Sequence, residues 1–249
     1  MSTPKLVAHR GYMLRYPENT RLGLQAALEA GADYIEFDLQ MNADQEFIVI
    51  HDDNFGRTAG VQQSVFTAST HKCRSISVHQ PELFKDEFNP TFVSTLTEIL
   101  ELNARYPAST ALVEIKNQSI EFWGLERVMD KLIRELEPYR EQCAVISFSD
   151  VAINHVQQHS HLKTGWLLER YDEAHREKAA KLQADYLMCN YQFIPEEEAP
   201  WPEFERWMLF DIVDPQLALA YSKIGVELIE TADIEGLKMF FTERNEGQV

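Results

Sequence analysis

Short apolar runs alternate with amphipathic stretches of helical length along most of the chain, the pattern expected of βα units around a parallel sheet. The runs that predict strands are Lys5–His9, Tyr34–Leu39, Phe47–His51, Ala111–Lys116, Ala144–Phe148, Thr164–Leu168, Tyr186–Asn190, Trp207–Ile212 and Val226–Glu230. Helical periodicity falls between them, over Thr20–Ala30, Leu96–Arg105, Phe122–Tyr139, Asp150–Gln158, Ala174–Gln183, Pro215–Lys223 and Glu235–Thr242. Thr20 and Asp150 stand where N-caps belong, and Gly31 and Gly225 where helices stop. With Phe47–His51 set aside as a hairpin partner or short extension, eight strands suit an α/β fold of the (β/α)8 TIM-barrel type.

Two stretches break this rhythm. From Asp53 to Pro90 the periodicity is weak and no long helix is predicted, which marks an insertion over roughly residues 53–90 that could cover the barrel mouth. The acidic segment PEEEAPWPEFE, with Pro195, Pro200 and Pro202, argues against a regular helix where the sixth should lie and predicts a solvated loop.

At 249 residues the chain suits a single barrel domain over residues 1–249. Its 40 acidic and 23 basic side chains leave a formal charge of −17, which disfavours nucleic-acid partners and anionic membrane surfaces. The N-terminus, MSTPKLVAHRG, lacks the basic and apolar regions of a signal peptide, and no apolar run approaches the roughly 18 residues of a membrane span. Stable membrane insertion is therefore not expected, and the protein reads as cytoplasmic. Cys73, Cys143 and Cys189 are odd in number and widely spaced, so they read as reduced structural thiols. The oligomeric state is not legible.

Strand alternation gives the acidic residues a direction. In YIEFDL, Tyr34, Glu36 and Asp38 share one face while Ile35, Phe37 and Leu39 share the other. In ALVEIK, Leu112, Glu114 and Lys116 face inward and Ala111, Val113 and Ile115 outward. Charges aimed into a barrel are costly unless paired or bound to metal, and these lie near the C-terminal strand ends where barrel active sites form. Three carboxylates without cysteine suit a hard divalent cation, Mg2+ or Ca2+. His9 and His51, at the ends of their own strands, add acid/base capacity. The other histidines, His71, His79, His155, His159, His161 and His175, read as structural.

These residues carry a resemblance. The segments AHRG (Ala8–Gly11), PENT (Pro17–Thr20), GADYIEFDLQ (Gly31–Gln40), IVIHDDNFGRT (Ile48–Thr58) and VEIK (Val113–Lys116) resemble the glycerophosphodiester phosphodiesterase family. Weaker similarity continues through PTFVSTLTEIL, SFSD and DPQLALAYSKIGVELIET, covering almost the whole chain. The resemblance implies a (β/α)8 barrel with a small insertion after the second strand. It further implies that Glu36, Asp38 and Glu114 bind the metal, that His9 and His51 are the acid/base pair, and that Arg10 and Lys116 contact phosphate. Asn19 matches the asparagine of PENT near the substrate, although a turn role after Pro17 is equally open.

Three carboxylates, one divalent cation, Arg10 and Lys116 leave a local charge of about +1, matching a phosphodiester anion, against about −1 without the cation. The expected reaction is hydrolysis of a glycerophosphodiester, a small-molecule substrate, to glycerol 3-phosphate and an alcohol. The nucleophile is water or the neighbouring glycerol hydroxyl, the latter giving a cyclic phosphate, and the resemblance favours that route. His9 is assigned as base and His51 as acid. A related phospholipase or lyase acting on a lipid phosphodiester, or a silent phosphate-binding barrel, are the alternatives. Phe55, Phe66 and Phe84 are candidates to line the alcohol pocket. Departures from the family pattern gather at Phe210, Asp211, Ile212 and Val213, and at Ala232. They border the mouth and bear on alcohol specificity. Asp44-Gln45 in place of Asp-Gly alters only turn chemistry.

Overall fold

The computed structural model describes residues 3–195 and 198–246. Its strands are β1 (Lys5–Ala8), β2 (Tyr34–Met41), β3 (Phe47–Val49), β4 (Thr110–Ile115), β5 (Cys143–Ser147), β6 (Lys163–Leu167), β7 (Tyr186–Asn190), β8 (Trp207–Phe210) and β9 (Leu228–Thr231). All except β3 pair in parallel in the order β1-β9-β8-β7-β6-β5-β4-β2, and β1 pairs with β2 to close an eight-stranded barrel. β3 lies antiparallel on β2 with Leu39 opposite Val49, the hairpin extension that its sequence suggests.

The outer ring holds α1 (Arg21–Glu29), α2 (Leu96–Asn103), α3 (Asn117–Trp123), α4 (Leu125–Leu136), α5 (Asp150–His159), α6 (Glu173–Leu182), α7 (Pro215–Lys223) and α8 (Ile234–Glu246). None is long and apolar enough to cross a membrane. Ile35, Phe37, Leu39, Val113 and Ile115 face these helices and meet Leu24, Leu96, Val128 and Ile153 in one core layer. Val7, Leu112, Ile146, Met188, Met208 and Leu228 fill the barrel interior as a second. Burying each such side chain contributes roughly 1.5–3 kcal/mol, which fixes the strand faces and hence what the mouth presents.

Local chemistry moves several boundaries. Ser149, not Asp150, caps α5, its hydroxyl accepting from Ala152 N at 3.2 Å. Asp150 is instead the first helical residue, where its charge complements the helix dipole. The periodicity over 122–139 breaks at Gly124, whose φ of +90° ends α3 and starts α4. β8 stops at Phe210 because Asp211 takes φ +68°.

The insertion contains one-turn helices, Gly56–Ala59, Thr70–Cys73 and Pro81–Phe84, too short to imprint a period. They close over a satellite core of Ile48, Ile50, Phe55, Val65, Cys73, Ile76, Val78 and Val93. Among the described residues no α-helix lies between β7 and β8, in keeping with the prolines; a single 3-10 turn, Tyr191–Phe193, precedes a loop that is only partly solvated. Trp201 is buried, stacks on Tyr171 at 4.2 Å, and its carbonyl accepts from Trp207 Nε1 at 3.2 Å. Glu196 and Glu197 lie outside the described residues.

Candidate active site

The β1–α1 turn is built from left-handed residues. Arg10 and Asn19 have φ of +50° and +55°, and between them Gly11, at +82°, approaches Gly23 so closely that a Cβ would sit 2.7 Å from its carbonyl carbon. This fold-back lets Asn19 N donate to Arg10 O at 3.0 Å. The Asn19 amide then grips Asp38 at both ends, donating from Nδ2 to Oδ2 at 2.8 Å and accepting from Asp38 N at 3.0 Å. Arg10 N donates to Glu36 Oε2 at 2.9 Å.

Glu36, Asp38 and Glu114 are all buried and each offers an oxygen within 4.8 Å of the others. Glu36 Oε1 is buried without a hydrogen-bond partner. A converging set of hard oxygens with an unsatisfied lone pair fits a divalent cation such as Mg2+ or Ca2+. Lys116 Nζ lies 3.2 Å from Asp38 Oδ1 and 2.5 Å from Glu114 Oε1, and Arg10 Nε 3.3 Å from Asp38 Oδ2.

These contacts divide the carboxylates. Burial pushes Asp38 upward, but Lys116, Arg10, His51 and the Asn19 amide outweigh it and hold the group below the usual carboxylate range. Burial, then the neighbouring Asp38, raises Glu114 to about 7, and the same causes raise Glu36 well above its ordinary value. Glu36 and Glu114 are thus shifted toward their protonated forms while Asp38 is held ionised, the behaviour expected of ligand carboxylates crowded together.

The histidines face the same cavity just beyond β1 and β3. Burial, reinforced by Arg10, lowers His9 to about 4. Burial also lowers His51, whose Nδ1 is 2.7 Å from Asp52 Oδ1. The remaining histidines have structural partners where contacts are seen, such as Ser77 for His79 and Asp130 for His155.

Sequence reasoning missed three residues here, Glu18, Arg57 and Glu230, and placed a fourth, Asp211, at the mouth only as a departure bearing on specificity. Glu18 is a buried hub: it accepts from Arg10 NH1 at 2.9 Å, from Arg57 NH1 and NH2 at 2.6 and 2.7 Å, and from Gln80 Nε2 at 3.1 Å. Arg57 also donates to Asp52 Oδ2 at 2.9 Å, so the insertion ties the Arg10 side of the site to the His51 side. Glu18 and Arg57 sit inside the PENT and FGRT segments, but their pairing over 39 positions had no local signal. Glu230 points into the barrel beside Glu36. Alternation in LIET would have shown it sharing a face with Leu228. Burial and nearby Asp211 raise its carboxyl well above the ordinary value. Asp211 places Oδ1 3.6 Å from His9 Nδ1.

The cavity, about 210 Å3, is walled by His9, Arg10, Glu36, His51, Glu114 and Lys116 on one side and by Ile146, Phe148, Leu167 and Phe210 on the other, with Asp211 and Glu230 between them. Phe55, Phe66 and Phe84 do not line it. Phe55 is in the satellite core, Phe66 stacks on Phe122 at 4.6 Å, and Phe84 packs on Phe88. A larger cavity of about 720 Å3 near Asp185 and Arg206 lies away from every one of these acid/base groups.

Residues 9–203, which carry both histidines and all three clustered carboxylates, match the model of the glycerophosphoryl diester phosphodiesterase family. The chain belongs to this family. A glycerophosphodiester phosphodiesterase of Caldanaerobacter subterraneus is 32% identical over 77% of the chain and 78% of its own length. One from Bacillus altitudinis is 33% identical, over 53% of the chain and 54% of its own length, so the chain spans about half of that relative. Among solved structures, an Oleispira antarctica phosphodiesterase in complex with the product sn-glycerol-3-phosphate superposes with a TM-score of 0.83 at 18% identity, over 96% of this chain and 97% of that one. An Agrobacterium tumefaciens glycerophosphodiester phosphodiesterase gives 0.75 at 21% identity, over 95% and 99%. Both share the barrel.

Proposed function

We propose that this family member hydrolyses glycerophosphodiesters to glycerol 3-phosphate and an alcohol in a reaction that depends on a divalent cation, Mg2+ or Ca2+. The observation that carries the reading is the convergence of Glu36, Asp38 and Glu114, with Glu36 Oε1 unsatisfied, on a cavity flanked by two histidines. The product bound by the Oleispira phosphodiesterase supports the substrate class. Glu36, Asp38 and Glu114 would hold the cation, which would supply polarisation of a phosphoryl oxygen and charge stabilisation at the transition state.

The chain's own residues do the rest. Arg10 and Lys116, oriented by Glu18 and by Glu114, bind the phosphate oxygens. Asn19 acts through Asp38, whose carboxylate it orients, rather than by touching substrate. His9, neutral at working pH, takes the proton of the nucleophile, either water or the adjacent glycerol hydroxyl that yields a cyclic phosphate. His51 gives a proton to the departing alcohol. Counting only the three clustered carboxylates, the cation, Arg10 and Lys116, the loaded cluster carries about +1 toward a phosphodiester anion. Three free, buried cysteines suit a reducing compartment and support the cytoplasmic reading. Residues 1–249 are taken as one domain, with the insertion serving the mouth.

A turnover assay over several glycerophosphodiesters with Mg2+, Ca2+ or chelator tests this. Release of glycerol 3-phosphate is expected with cation and is lost in chelator. His51→Ala should recover on a substrate with a better leaving group and His9→Ala should not. Turnover that persists in chelator, or in the double histidine variant, would sink the reading.

A further inference from the structure

The two histidines have unequal partners. His51 leans on Asp52, but Asp52 also receives two hydrogen bonds from Arg57, which neutralises it. Asp211 differs. Among the described residues no cationic side chain bonds to it; its Oδ1 lies 3.6 Å from His9 Nδ1 and its Oδ2 accepts from Asn190 Nδ2 at 2.7 Å.

Both ends of this contact are built on the frame of the barrel. His9 N donates to Thr231 O at 3.0 Å and Ile212 N to Glu230 O at 3.1 Å, so β9 holds the two backbones side by side. Asp211 itself adopts φ +68°, a conformation uncommon for a non-glycine residue and typically kept where it serves a site. The separation is longer than a hydrogen bond, as catalytic contacts in unliganded enzymes commonly are before they tighten around substrate.

We propose that Asp211 is the positioning residue of His9: it accepts a hydrogen bond from Nδ1–H, leaves the Nε2 lone pair facing the nucleophile, and stabilises the imidazolium as it forms. The proton passes from the nucleophile oxygen to Nε2 while its electron pair goes to the new P–O bond. The Nδ1 proton stays on the ring, and Asp211 remains a carboxylate throughout. This rests on the phosphodiesterase reading and deepens it, because it selects His9 as base on an electrostatic ground: its partner carries no bonded cation, whereas the carboxylate beside His51 is paired with Arg57.

The test uses 15N-histidine-labelled full-length protein with Asp211→Asn and Asp211→Ala. In the wild type, NMR should show His9 protonated at Nδ1 and bare at Nε2. Asp211→Asn, whose oxygen stays with Asn190 Nδ2 and whose NH2 then faces His9 Nδ1, should lose that tautomer and lower kcat by at least about tenfold with KM held within about twofold, on natural and activated substrates alike. Asp211→Ala should lose the tautomer as well as the rate. An unchanged tautomer in Asp211→Ala would overturn the proposal. So would an Asp211→Asn effect confined to KM, which marks a substrate contact. If the wild type turned over no glycerophosphodiester, the parent reading would fail while the NMR still decided the pairing.

Discussion

Glu230 is the residue at which this barrel mouth is most plainly unbalanced. Burial, then the neighbouring Asp211 and Glu114, outweigh the relief from Arg10, so the folded-state pKa of the Glu230 carboxyl stands well above the ordinary value. A group raised in this way stabilises the fold while protonated and loses that contribution as pH rises. Glu230→Gln removes the penalty and keeps the shape. Measured by thermal melting in chelator at about pH 8, the variant should gain at least about 2–4 °C, the shift that roughly 1 kcal/mol produces in a chain of this size. A melting temperature equal to or below wild type would show that Glu230 is satisfied by a contact that its neighbours do not suggest. Asp38 is the opposite case, since Lys116 and Arg10 hold it ionised.

Among the elements, the insertion matters most for how the site is held. Its helices are single turns that derive their order from the satellite core, in which Phe55 is fully buried. Two residues on, Arg57 bridges Glu18 and Asp52. Phe55→Ala should therefore cost about 3–5 kcal/mol, read as a lower urea midpoint, and should lower kcat, because the freed Arg57 no longer orients Asp52 behind His51. A stability loss with kcat intact would show that the bridge survives without its core. The insertion's extent was legible as a loss of periodicity. Its architecture was not, because one-turn helices are too short to leave a period and their stabilising contacts come from distant parts of the chain.

At the scale of the whole molecule, metal, proton and stability are linked. Glu114 is raised from 4.5 to about 7, and Glu36 and Glu230 move in the same direction, so without cation the stability they contribute is lost as pH rises through those values. His9 runs the other way: lowered from 6.5 to about 4, its contribution is lost as pH falls through that window. A divalent cation needs the ionised carboxylates. Saturating Mg2+ or Ca2+ should then raise the melting temperature by several degrees at about pH 8, in line with roughly 2.7 kcal/mol at a hundredfold excess over Kd, and by clearly less at about pH 5.5. An equal shift at both pH values would place the cation elsewhere.

Alternation alone determined that Glu36, Asp38, Glu114 and Lys116 face the barrel axis, because the period of a strand is a local property and their opposite faces are apolar. The order of the runs determined the barrel, and the absence of an α-helix among the described residues before β8 followed from its prolines. What only the tertiary structure decided is who meets whom: Glu18 with Arg57, Asp211 with His9, Glu230 with Glu36, and the exclusion of Phe55, Phe66 and Phe84 from the cavity. Those pairings join separate loops through left-handed backbone at Arg10, Asn19 and Asp211. Such turns leave no periodic trace, and their partners are chosen by barrel closure.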